Sequence, residues 1–127
     1  MTRLVASMAL LGSLLLGCAS SGPGDPVQRA TTYGPVVGVD ASRTDGTFSW
    51  KGVPFAAPPV GARRWKAPAD PSPWSKPLAA DRYAAACVQT GRLYGPGANN
   101  RYDATIGSTL GQTLGSEDCL YLNVWAP

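Results

Sequence analysis

The chain has 127 residues, a formal net charge of +3 and no histidine. That length holds at most one ordinary domain, and the charge is too mild for a nucleic-acid partner, which presents a clustered basic face. Without histidine, neither a Ser–His nor a Cys–His nucleophile pair can be assembled from these residues.

In chain order, the first feature is MTRLVASMALLGSLLLGC, residues 1–18. Arg3 precedes an apolar run from Leu4 to Leu16, which is short for a bilayer span and of the right length for a signal-peptide core. Leu15-Leu16-Gly17-Cys18 resembles a bacterial lipobox. That resemblance implies a lipoprotein signal peptide over 1–17, diacylglyceryl transfer to the Cys18 sulfur and acylation of the new amine. Two or more acyl chains then anchor the protein to a membrane, each buried methylene adding about 0.8 kcal/mol. Cleavage after Ala19 by an ordinary signal peptidase is the alternative, since Gly17 and Ala19 are both small. Either route exports the chain. In a cell with two membranes, Ala19 in place of Asp points to the outer one.

Residues 18–33 are small, polar and punctuated by Pro and Gly, so they read as a flexible tether. The domain is expected over 34–127. GPVVGVD and TFSWKGVPFA flank the turn dipeptide Asp45-Gly46 and predict a β-hairpin from about Pro35 to Val53. Seven prolines between Pro54 and Pro77 then exclude helix and central strand. This stretch is expected to be an ordered extended crossing, with Phe55, Trp65 and Trp74 as anchors. DRYAAACVQ, 81–89, predicts a short helical turn, and the Gly-, Asn- and Thr-rich segment 90–115 a long surface loop. Cys119–Trp125 is apolar apart from Asn123, the pattern of a strand buried on both faces.

Cysteine arithmetic is informative. Three cysteines leave one unpaired in an exported protein. If Cys18 carries lipid, Cys87 and Cys119 remain as an even pair in a compartment that favours disulfides.

Catalytic motifs are missing. No Gly-x-Ser-x-Gly occurs, and GSTLG at 107–111 has the wrong spacing. GPGANN at 95–100 is a poor nucleotide loop, and no CxxC or His pair offers a metal site, so no cofactor is expected. Ser75-Lys76 lie adjacent in a Pro-rich stretch and are poorly placed to face one another. Glu117-Asp118 reads as a turn cap or ion pair rather than an acid–base couple. ARRWKAP, 62–68, groups three cations around one Trp and reads as solvated charge beside a packed aromatic.

Three segments together resemble the N-terminal part of type-B carboxylesterases, the α/β-hydrolase group that includes cholinesterase-like proteins. Trp50-Lys51-Gly52-Val53-Pro54-Phe55-Ala56 is followed by Pro58-Pro59-Val60-Gly61, Arg63-Arg64-Trp65, Pro68 and Trp74. Cys87-Val88-Gln89 is the second match, and Glu117-Asp118-Cys119-Leu120-Tyr121-Leu122-Asn123-Val124-Trp125-Ala126-Pro127 is the third and most specific. The resemblance implies an α/β fold of which this is the N-terminal portion, a Cys87–Cys119 disulfide and a structural ion pair between Arg64 and Glu117. It implies a serine esterase acting on a small-molecule carboxylic ester through an acyl-enzyme. The oxyanion loop, nucleophile turn, acidic residue and histidine of that family would all lie past Pro127, so no catalytic residue is expected within the chain. The competing expectations are a non-catalytic adhesion module of the same fold and a small structural lipoprotein.

Overall fold

A computed structural model describes residues 24–127. The leader, Cys18 and the first part of the expected tether lie outside the described residues. The elements are β1 (Gln28–Ala30), β2 (Pro35–Val37), β3 (Val39–Ala41), β4 (Thr47–Pro54), a 3-10 turn at Gly61–Arg63, β5 (Leu78–Ala79), β6 (Gln89–Thr90), β7 (Thr113–Leu114) and β8 (Tyr121–Ala126). They form two three-stranded sheets, β1-β2-β5 and β3-β4-β8, and the small β6-β7 pair. The α component of the expected α/β fold is not among the described residues.

The tether is shorter than expected. Residues 28–30 pair antiparallel with β2, Gln28 opposite Val37 and Ala30 opposite Pro35. Val27 is buried, and its carbonyl accepts a 2.7 Å hydrogen bond from Trp50 Nε1. Arg29 lies 4.9 Å from the centre of the Trp50 ring, a cation–π contact. Polar composition suggested a linker here, but the order comes from contacts made 23 residues away.

The expected hairpin is divided. Val39–Ala41 and Thr47–Pro54 form it around Asp45-Gly46, with Asp45 Oδ1 accepting from the Thr47 amide at 3.0 Å. Pro35–Val37 instead belongs to the other sheet. The switch falls at Gly38, where a Cβ would strike the Ser49 carbonyl and come within 2.7 Å of the Trp50 ring.

The two sheets meet at Ala80, which has no exposed surface. Its N–H donates to Val37 O at 2.7 Å, and its carbonyl accepts from Lys51 N at 2.8 Å. Val36, Trp50, Val53 and Ala80 make the buried cluster, with Phe48, Trp74, Leu78 and Ala126 packed around it. Of the three aromatics in the Pro-rich crossing, only Trp74 acts as an anchor. Its amide donates to Tyr33 O and its indole to Pro35 O, both at 2.8 Å. Phe55 and Trp65 are exposed.

Residues 81–89 are extended rather than helical. Asp81 bridges Lys51, and Cys87 bridges Ser116. The Ala86 amide donates to Asn100 O, and the Ala86 carbonyl accepts from Ser116 N. With both backbone groups taken by neighbours, the helix propensity of Ala84–Ala86 is overridden.

A bulge shapes the second sheet. Trp50 pairs with Val124 and Val53 with Leu122, so Lys51 and Gly52 together oppose Asn123. Gly52 has φ +70°, and a Cβ there would lie 2.8 Å from Arg82 O. Its amide donates to Asn123 Oδ1 at 2.9 Å. Residues three apart in a regular strand face opposite sides; the extra residue turns Trp50 and Val53 into the same core. Strand β8 departs from expectation. It has β4 on one side only, and Leu122 and Trp125 are 39% and 50% exposed, because no second layer covers it among the described residues.

Replacing Asn123 with Ala is expected to lower stability by about 1 kcal/mol. Hydrogen exchange at the Gly52 amide should rise by about tenfold, while Asn123→Asp, which keeps the acceptor, should retain most of the protection.

Candidate functional site

The chemistry-bearing residues gather around the disulfide ring. Cys87 and Cys119 are joined, with Cα atoms 5.0 Å apart and a separation of 32 residues. Inside the ring, Gln89 pairs with Leu114 and Thr90 with Thr113, closing the neck of the loop expected at 90–115. The loop is packed against itself. Thr109 Oγ1 donates to Pro96 O at 2.6 Å in a buried contact. Asp103 Oδ1 accepts from the hydroxyl and amide of Thr105 at 2.6 and 2.9 Å, and these bonds hold its carboxyl below the usual range. Glycines allow this closeness: a Cβ on Gly97 would collide with Thr105, and one on Gly91 with Thr109 O.

Arg64 Nε lies 2.7 Å from Glu117 Oε1, with the two side chains 51% and 40% exposed. A pair this open to water is screened and contributes about 0–1 kcal/mol. It ties the Pro-rich crossing to the residue two before Cys119. Asp118 is also committed: Tyr121 Oη donates to its Oδ1 at 2.9 Å. Burial, with that carboxylate beside it, pushes the Tyr121 phenol above its ordinary pKa. Both acidic side chains therefore serve structure.

Trp65 is not the packed aromatic the sequence implied. Arg64 has φ −57° and ψ 136°, Trp65 has φ +61°, and Lys66 N donates to Arg63 O at 3.2 Å. That is a type II turn with Trp where glycine is usual, at a strain of about 1–2 kcal/mol. The indole is 95% exposed.

An apolar cleft of about 550 Å³ is lined chiefly by Val36, Trp50, Val53, Phe55, Leu122 and Val124. It can accept hydrocarbon, and its titratable neighbours are Arg29 and Tyr33. Ser75 and Lys76 are exposed and take no part in it. Among the described residues no three His, Cys, Asp or Glu side chains cluster to hold a metal. The ring and cleft thus form a scaffold, and with no histidine in the chain neither holds a Ser–His pair. Two structural features escaped sequence reasoning, the Ala80 junction and the Gly52–Asn123 contact. An isolated glycine within a strand pattern was the available sign of the second.

The cross-links should separate in energy. Replacing both Cys87 and Cys119 with Ser is expected to cost about 2–5 kcal/mol, whereas Arg64→Ala should cost no more than about 1 kcal/mol, both read from denaturant unfolding.

Comparison with known proteins assigns the scaffold. The carboxylesterase family model matches residues 25–127. The chain is 35% identical over 123 residues to fumonisin B1 esterase of Sphingopyxis macrogoltabida, covering 97% of this chain and 20% of that protein. It is 40% identical over 99 residues to juvenile hormone esterase of Tribolium castaneum, covering 76% and 14%. A solved para-nitrobenzyl esterase structure superposes with a TM-score of 0.54 at 37% identity, over 79% of this chain and 16% of that one. The solved structures similar to this chain are carboxylesterases of the α/β-hydrolase fold, and the chain spans about a fifth or less of the length of the curated relatives it matches. From Asp25 to Pro127, this chain belongs to the carboxylesterase family.

Proposed function

We propose that these residues are the amino-terminal scaffold of an exported carboxylic ester hydrolase. The observation that carries this is the similarity to esterases over 25–127 in a chain spanning 14–20% of those relatives. In the whole enzyme a serine attacks the ester carbonyl, a histidine takes its proton, and backbone N–H groups stabilise the oxyanion. The acyl-enzyme is then hydrolysed by water. With no histidine in the chain, this machinery belongs to the rest of the family domain, of which the chain spans about a fifth or less. The described segment contributes the strand pair β4–β8, the apolar cleft beside it and the disulfide ring. The substrate is a small-molecule carboxylic ester.

The same proposal places the protein at the cell envelope. Cys18 carries the lipid, and residues 1–17 are removed. Support comes from the lipobox-like Leu15-Leu16-Gly17-Cys18 and from the pairing of the other two cysteines with each other.

Two measurements test these points. The purified 127-residue chain should show no saturable hydrolysis of p-nitrophenyl acetate; saturable turnover by it would overturn the assignment of the machinery to further polypeptide. Palmitate fed to expressing bacteria should label the protein, and Cys18→Ser should remove the label. An unlabelled parent would favour cleavage after Ala19.

A further inference from the structure

As long as Cys18 carries no acyl group, the three thiols of the chain can close three different bridges. Loop-closure entropy alone favours Cys87–Cys119 by only about threefold over Cys18–Cys87 and about sixfold over Cys18–Cys119. The structure nevertheless brings Cys87 and Cys119 together through backbone contacts that involve neither sulfur. Ser116 N donates to Ala86 O at 2.9 Å, and Gly91 N to Gln112 O at 2.7 Å. Gly111 N donates back to Gly91 O at 3.0 Å, and the β6–β7 pair closes the space between these bonds. Gly115 lets the two arms of the neck touch, with φ at +112° and a position where a Cβ would strike the Cys87 carbonyl. In the turn that leads to Cys119, Ser116 Oγ accepts from the Asp118 amide at 3.1 Å. The Cys87 and Cys119 Cα atoms end 5.0 Å apart, inside the range that a disulfide spans. Every partner in these bonds lies within residues 86–119, so the neck borrows nothing from either three-stranded sheet.

We propose that this hydrogen-bonded neck selects the disulfide: it forms in the reduced chain, holds Cys87 and Cys119 within reach of each other and so keeps Cys18 out of the pairing. The oxidant is a low-molecular-weight disulfide. One cysteine thiolate attacks it, forming a mixed disulfide and expelling one small thiolate. The other cysteine thiolate then attacks the protein sulfur of that bond and expels the second. The small disulfide is thereby reduced, the protein dithiol is oxidised, and the two cysteine protons pass to solvent. The neck acts on the second attack, where it raises the effective concentration of one thiol over the other. This selection does not depend on what covers the sheets, on ester hydrolysis or on later acylation of Cys18.

The test uses the purified 127-residue chain, made without export so that Cys18 is unacylated. It is held dilute in a buffer of reduced and oxidised glutathione, quenched in acid and mapped by mass spectrometry. Cys87–Cys119 should outnumber each bridge to Cys18 by about a hundredfold or more. In concentrated guanidinium the ratios should fall to the roughly threefold and sixfold that loop closure gives. Gly91→Ala, whose Cβ would collide with Thr109 O, should approach those denatured ratios in plain buffer. Trp50→Ala removes the centre of the apolar core and no bond of the neck, so it should keep the selection. Denatured-like ratios in the unaltered chain would overturn the proposal. So would undiminished selection in Gly91→Ala, or a loss in Trp50→Ala as large as that in Gly91→Ala, which would assign the selection to the fold as a whole.

Discussion

One hydrogen bond, from the Gly52 amide to the Asn123 side chain, joins the two most distinctive segments of the chain across 71 residues. Its importance lies in phase. A strand alternates its side chains, so Trp50 and Val53 could not share a core without an inserted residue. The insertion leaves the Gly52 N–H without its ladder partner, at a place that stays open to water. Asn123 supplies the acceptor, and Gly52 supplies a positive φ under the Arg82 carbonyl. Core, bulge and apolar cleft thus follow from one arrangement.

Around that frame the links differ in kind. The disulfide constrains the unfolded chain as well as the folded one, whereas the Arg64–Glu117 pair works in water and positions more than it stabilises. Both act on the same few residues, so the Pro-rich crossing and the loop are held against the start of β8 by a strong covalent link and a weak electrostatic one. Inside the ring, order comes from short polar contacts such as Thr109 to Pro96, whose own side chain is fully buried. A Gly-rich sequence can therefore be compact without looking so.

Much of this was legible in the residues. Asp45-Gly46 marked its hairpin because the turn chemistry is local. The order of residues in the two signatures carried the fold. What could not be read depends on distant partners. Val27 is buried by Trp50, and the Ala84–Ala86 run is kept extended by Asn100 and Ser116. Whether Trp65 packs was equally hidden, since its composition context is the same either way. The cysteine pair was readable once Cys18 was set aside, but the openness of the Arg64–Glu117 pair to water was not.

Ala80 has a consequence for how the chain tolerates changes of length. Its two backbone groups are shared between sheets, one bond to each, so the sheets are locked to a common register. Adding or deleting one residue between Trp74 and Ala80 would shift β5 against β2 and, by the same step, uncouple Lys51 from its acceptor. The exposed stretch from Val60 to Asp70 is tied back at Arg64 to Glu117 and at Ala69 to Ala57, but neither tie couples the two sheets, so it can absorb insertions between them on its outer side. Variation in loop length should therefore accumulate on one side of Trp74 and be forbidden on the other.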